Sequence, residues 1–391
     1  MSCPSIHWGE PAAQSIHQQQ FAAHLTKGGH EVTLLARPPL GGQPSPPTEA
    51  QLVLLGASAP PLERVTFSLQ TRTVVRRLLS EGRFDLVHDR GYLGGGVALR
   101  AASRAGLPSV LQIDDDWPRT EAQAQPLLRA PRIEAVAHRW CGRLASGATR
   151  AFAVSQSLRQ TVVTDWGADA THIDVVPNGV DLELFLPDHP QAQRERRTLG
   201  LEGRQVIVFV GALGPWHGVA TLLAALTQVR RQLPQAHALI IGGRRGGTQG
   251  EALVQAIAAA GLERAVTALG VVPPERVPGL LSVGDVAVAP YPNVPYGFSP
   301  FKVFEYLAAG LPIVASDLPF VREVLDEQVA VLTAAGQPAP LAQALVELLR
   351  DDARRRRMGA AARERAVLRH GWGASTRALL SVYERALSSR T

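Results

Sequence analysis

Lysine is nearly missing from this chain of 391 residues: of its 40 basic side chains only Lys27 and Lys302 are lysine, and the rest are arginine. Such a bias is a drift of composition, and against it a surviving lysine hints that a compact ammonium is wanted at its position. Cysteine is almost as scarce, with Cys3 and Cys141 alone, which excludes a disulfide framework and suits a reducing compartment. Aromatic residues make up 5% and no recognition module is visible, which argues against a nucleic-acid binder. No apolar run approaches the roughly 20 residues of a membrane span. The opening "MSCPSIHWGEP" has neither a basic leader nor an apolar signal core. These absences point to a soluble, cytoplasmic protein. The net charge is +6, and the basic runs at 74–79 and 351–365 sit on helical patterns with acids nearby. They read as solvated faces, with contact at the inner membrane face as the alternative they would suit.

Hydrophobic residues, at 46%, are enough for more than one core, and the length predicts two domains. Strand-length apolar runs recur at 31–38, 84–90, 109–116 and 148–155, with helical patterns between them. The rhythm repeats at 205–213, 237–243, 264–270, 285–292 and 311–316. Nearly continuous apolar strands, each followed by a helix, predict an α/β fold of two doubly wound parallel-sheet domains. The Pro-rich, charged stretch 185–204 reads as the linker, giving domains 1–185 and 186–373, and 35–51 reads as a loop inside the first. Residues 3–8 are expected to supply a short first strand despite Pro4, the other reading being a chain that starts further upstream.

In open α/β sheets the chemistry gathers beyond the carboxyl ends of strands. In "FVGALGPWHGVATLLAAL" a strand runs into Gly211 and then a helix whose start carries His217 and Gly218. Free amides and the dipole there favour a phosphate. In "YGFSPFKVFEYLAAGLPIV" Ser299 reads as an N-cap and Pro300 as the first helical residue. The helix that follows is apolar around most of its circumference, yet it holds Lys302 and Glu305 three residues apart. Desolvating both charges would cost more than an exposed pair returns. The pair is therefore expected to line a polar cleft. Amides of Phe301 and Lys302, with the ammonium, suit a diphosphate, and Glu305 suits a ribose diol.

Together with "FDLVHDR", "AFAVSQSLRQ" and "IDVVPNGVDLELF", these motifs, in this order and spacing, resemble glycosyltransferase family four. The resemblance implies the GT-B architecture, two Rossmann-like domains facing across a cleft, with the C-terminal helix 374–391 packing back on the first. It implies a retaining, metal-independent transferase acting on a nucleotide diphosphate sugar, UDP- or GDP-linked, with no further cofactor. Donor contacts would come from Gly211, Trp216, Val272, Ser299, Pro300, Phe301, Lys302 and Glu305, with Val272 near the nucleobase. Ser15, His17, Arg90 and Gln112 would face the acceptor, a glycan, lipid-linked or small molecule.

Departures from the family pattern are equally specific. The first glutamate of the family's E-x7-E motif falls on Gly297, and its usual arginine and lysine after the first donor-domain strand fall on Ala212 and His217. Lys302 and an imidazolium at His217 are then expected to meet leaving-group charge. Asp114 stands where the family often places a histidine near the transferred sugar, and either that role or a solvated loop carboxylate fits it. The missing cations leave a non-catalytic sugar-nucleotide-binding protein as one rival reading. A peripheral membrane protein is the other.

Overall fold

The computed structural model describes residues 1–9, 13–39, 48–56, 63–90, 96–124, 130–243, 248–294 and 298–389. The chain forms two compact units, one of Met1–Gly179, Tyr296–Ser299 and Trp372–Thr391, the other of Val180–Pro295 and Pro300–Gly371.

The first unit holds a parallel sheet of β1 (Ser2–His7), β2 (Thr33–Arg37), β3 (Gln51–Leu54), β4 (Val87–Asp89), β5 (Ser109–Ile113), β6 (Arg150–Ala153) and β7 (Ile173–Val175). Its order is β3-β2-β1-β4-β5-β6-β7. Residues Ser2–His7 thus form a strand that pairs with both β2 and β4. The helix Trp372–Ser388 packs on the helix Ala13–Lys27 and on β5 and β6. There Trp372 lies 5.2 Å from the His17 ring and 5.6 Å from Phe21.

The second unit holds β8 (Gln205–Val210), β9 (Ala236–Ile241), β10 (Val266–Gly270), β11 (Val286–Ala289), β12 (Ile313–Ser316) and β13 (Ala330–Thr333). All are parallel, in the order β10-β9-β8-β11-β12-β13. Ile207 and Phe209 of β8, Ala238 and Ile240 of β9, and Leu222, Leu226 and Val229 of the helix Val219–Gln232 share one buried core. Strands so sequestered show no polar alternation, as the run "VIVFV" requires. Strand order reverses between β1 and β4 and again between β8 and β11, so each sheet has one crevice at its carboxyl edge.

Three strands, β3, β7 and β13, have no counterpart in the periodicity. All lie at sheet edges and span four residues or fewer; one-sided pairing leaves little apolar signal. The stretch read as a linker also differs. Residues Ala192–Thr198 are helical and belong to the second unit. Glu195 receives both Nε and Nη2 of Arg276 at 2.7 Å, and Arg196 reaches Asp285 at 3.0 Å. Its charges serve as fastenings for the fold, which a composition count reads as solvation.

Candidate active site

At the switch point of the second sheet, β8 ends at Val210 and the chain turns through Gly211, with φ of 132°. A Cβ there would stand 3.1 Å from Lys302 Cε and 3.3 Å from its Nζ, so a side chain would crowd the tip of the lysine, and the positive φ itself favours glycine. Lys302 occupies the second position of the helix Phe301–Ala308 and is 6% exposed. Its Nζ lies 3.3 Å from His217 Nδ1, 4.2 Å from the centre of the Phe209 ring and 5.0 Å from that of Tyr291. His217 closes the short turn Pro215–His217 and is followed by Gly218 at φ 73°. A Cβ on Gly218 would lie 1.6 Å from the Pro290 carbonyl oxygen; that close approach sets the histidine beside the end of β11. Beneath the lysine, the Tyr306 hydroxyl accepts from Val210 N at 2.9 Å and donates to Val288 O at 3.2 Å, tying β8 to β11.

The helix start differs from expectation. Pro300, not Ser299, holds the N-cap position, with ψ of 66° and no side-chain cap. Val303 N reaches back to Pro300 O at 2.8 Å, which puts the serine one residue too early to cap. Ser299 Oγ is buried with no hydrogen-bond partner among the described residues. Pro300 itself has no side-chain acceptor to offer the first turn.

Electrostatics revise two further expectations. Among the described residues the polar neighbour of Lys302 Nζ is His217 rather than Glu305. Burial pulls the Lys302 ammonium down to about 7, with Glu305 opposing, and pushes the half-buried Glu305 carboxyl up to about 8, with Lys302 opposing. His217 is driven down to about 3, by burial first and by the Lys302 charge second. At neutral pH it is an uncharged acceptor for the lysine, so the imidazolium role falls away. Trp216 stands half-buried with its ring 5.8 Å from that of His217. Phe301 is half-buried at the first helical position, and Val272 lies two residues past β10, outside the groups that surround Lys302. Gly297 lies outside the described residues. An ammonium, a neutral imidazole, a bare glycine turn and a helix start in one place suit an anion.

The switch point of the first sheet carries a buried polar network. Gln112 Nε2 donates to Asp114 Oδ1 at 2.7 Å and lies 3.3 Å from His17 Nδ1; its Oε1 accepts from Gln18 Nε2 at 2.9 Å and from His88 Nε2 at 3.0 Å. His88 Nδ1 in turn meets the Tyr383 hydroxyl at 2.7 Å. Asp114 forms an ion pair with Arg90 and lies 3.8 Å from His17 Nδ1, so its charge is already answered. Burial lowers His17 to about 4 and His88 to about 3, which leaves both neutral. His17, Arg90, Gln112 and Asp114 therefore come together. Ser15 stands apart, donating to His7 O at 3.2 Å and accepting from Gln19 at 2.9 Å. Asp116 is structural, fully buried and held by His138 at 3.0 Å, Trp166 at 3.2 Å and Arg119 at 2.8 Å. Sequence reasoning missed Gln18, His88, Tyr291, Tyr306 and Tyr383. Only His88 carried a usable signal, as a histidine between Val87 and Asp89 inside a strand.

Residues 191–365 match the family model for glycosyl transferases group 1, and residues 14–184 match that for glycosyltransferase family 4. The D-inositol 3-phosphate glycosyltransferase of Frankia alni is 31% identical over 320 residues, 78% of this chain and 75% of that protein. The phosphatidyl-myo-inositol mannosyltransferase of Mycobacterium leprae is 30% identical, over 100% of this chain and 97% of its own length. Among solved structures, sucrose-phosphate synthase from Thermosynechococcus elongatus superposes with a TM-score of 0.82 at 20% identity, covering 99% of this chain and 97% of that one. Anabaena HepE in complex with UDP and glucose gives 0.77 at 19% identity, covering 97% and 98%. The two parallel-sheet domains have the GT-B fold.

Proposed function

Because the chain belongs to glycosyltransferase family four, we propose that it moves a hexosyl group from a nucleoside diphosphate sugar to an acceptor hydroxyl, with retention and without a metal ion. The observation that carries this reading is the buried Lys302 ammonium, set against Gly211 with, among the described residues, His217 and the Phe209 and Tyr291 rings around it. A buried cation without a carboxylate against it gains most from an arriving diphosphate. In the proposed reaction the bond from the anomeric carbon to the β-phosphate oxygen breaks, and the acceptor oxygen bonds to the same face of that carbon. The acceptor's proton passes to the departing β-phosphate. Lys302 and the helix start stabilise the charge that develops there, which is where a preformed site contributes most. Glu305 takes the ribose hydroxyls. In the first unit His17 Nε2 and Gln18 Oε1, buried with no partner among the described residues, offer a donor and an acceptor to a polyol.

UDP and GDP sugars are the donors to test, and the names of the two relatives make inositol phosphates and phosphatidylinositol the first acceptors. Each donor would be incubated with each acceptor, and the anomeric configuration of any product read by proton NMR. Retained product with a chelator present supports the reading. An inverted product, or turnover that stops with the chelator, would overturn the mechanism. Nucleotide binding with neither transfer nor donor hydrolysis would favour the sugar-nucleotide-binding protein instead.

A further inference from the structure

The helix Pro131–Gly147 of the first unit sets Cys141 and Ala145 in the core and turns His138 to Asp116 at 3.0 Å. Its outer side is of another kind. Arg132, Val136, Arg139 and Arg143 follow one another at intervals of three or four residues and so share a strip of the helix, which Ile133 and Trp140 border. The three arginines are exposed, and Ile133 and Val136 leave 43% and 59% of their surface to solvent. Trp140 is half-buried, its ring 6.2 Å from that of Trp117. Glu134, the one carboxylate of the helix, is engaged by Arg119 at 3.0 Å. Among the described residues no carboxylate pairs with any of the three arginines. Single exposed aliphatic side chains are ordinary, but two of them beside a tryptophan and a row of unanswered cations make an interfacial pattern.

We propose that this face docks the protein on a bilayer of anionic phospholipid, with Ile133, Val136 and Trp140 at the headgroup boundary and the arginines on lipid phosphates. The long arginine stem lets a guanidinium rise to the phosphates while its aliphatic neighbours sit lower. A nucleic acid would meet the arginines but leave the aliphatic side chains unused. Because the opposite side of the helix is fixed in the core, the helix lies along such a surface and does not cross it. It runs back along the sheet to enter β6 at Arg150, so Arg132 and Ile133 stand at the carboxyl edge, where His17, Gln112 and Asp114 meet. A lipid acceptor held in the bilayer would reach that network from this side. That link rests on the acceptor reading of the network; the docking itself does not.

The whole chain would be co-sedimented with vesicles of phosphatidylcholine containing about one-third phosphatidylglycerol, and with phosphatidylcholine alone. Binding is expected to the anionic vesicles only, falling as salt rises from about 0.1 M to about 0.5 M. Arg139→Glu with Arg143→Glu should weaken it at least about tenfold. Ile133→Ser with Val136→Ser should weaken it about tenfold and leave the salt dependence in place. The same charge reversal at Arg356 and Arg357, exposed on the helix Asp352–Arg365, should change it less than about twofold. All six positions are exposed, so an unchanged Tm checks that each variant folds. Native protein that stays in the supernatant would overturn the inference, as would equal losses from the two arginine pairs or binding that ignores lipid charge. Self-association that the substitutions in 133–143 dissolve, with no vesicle binding, would also overturn it and assign the face to a second copy of the chain. Thermal shift with UDP on the same samples keeps the two readings apart: its absence would count against the donor site and leave the docking standing.

Discussion

Raising the pH should weaken UDP binding, and replacing Lys302 by arginine should abolish the effect. The free protein holds the Lys302 ammonium at about 7, because burial strips its hydration and Glu305 only partly compensates. A diphosphate against Nζ restores what burial removed, so the bound lysine regains an ordinary value near 10.4. Between about pH 7 and pH 10 the bound state therefore holds more protons than the free state, and affinity falls as pH rises through that window. From about pH 7.5 to about pH 9 the protonated fraction of the free lysine drops about 25-fold, a loss of about 2 kcal/mol. Glu305, pushed up to about 8 by burial with Lys302 opposing, works the other way if its ionised form binds the ribose. Its ionised fraction rises about fourfold over the same range, leaving a net loss of about sixfold in the native chain. Glu305→Gln should expose the full 25-fold loss. Isothermal titration with UDP at constant ionic strength measures it, in a range where the nucleotide's own phosphates are fully ionised. Two buffers of different ionisation enthalpy would count the proton taken up. A flat profile in Glu305→Gln, or an undiminished slope in Lys302→Arg, would refute the reasoning.

Three further outcomes are expected. His217→Gln should leave the slope of UDP affinity against pH in place, because His217, held at about 3 by burial and by Lys302, does not titrate in that range; loss of the slope would make the histidine the titrating group. Tyr306→Phe removes the acceptor of the buried Val210 N–H at 2.9 Å and should cost about 1–3 kcal/mol in urea unfolding, with an unchanged midpoint showing that the tie between β8 and β11 is idle. Gly218→Ala would put a Cβ 1.6 Å from the Pro290 oxygen and should prevent folding or lower Tm steeply. Gly200→Ala, at a similar positive φ with nothing within 4 Å, should cost only about 1–2 kcal/mol; comparable losses at the two sites would mean that the close approach is relieved.

Much of the fold was legible because buried parallel strands leave an unmistakable trace. Runs such as "VIVFV" and "ALII" carry no polar residue since the residues on both of their faces are buried. Of the edge strands β10 was legible, but β3, β7 and β13 were not, for the converse reason: Gln51–Leu54, for one, pairs on one side only, with partly exposed side chains. The same divide runs through the candidate site. Lys302 and Glu305 stood out as charges in an apolar helix, and Gly211 as a glycine where a strand gives way to a helix. Tyr306 gave no warning, because a tyrosine in an apolar helix looks like core until its hydroxyl is seen to bridge Val210 and Val288.

Local pattern by itself determined the two α/β domains, the family and the segments that carry the chemistry, since apolar period and motif spacing are properties of neighbouring residues. Tertiary structure alone decided which charges exist at the site. Residues 217 and 302 are 85 positions apart in the chain, yet their nitrogens lie 3.3 Å apart. Burial first and the Lys302 charge second turn His217 neutral, and burial, with Glu305 opposing, lowers Lys302 to about 7. A pKa answers to desolvation and to nearby charge, and both are set by what folding brings close rather than by what the chain places next in line.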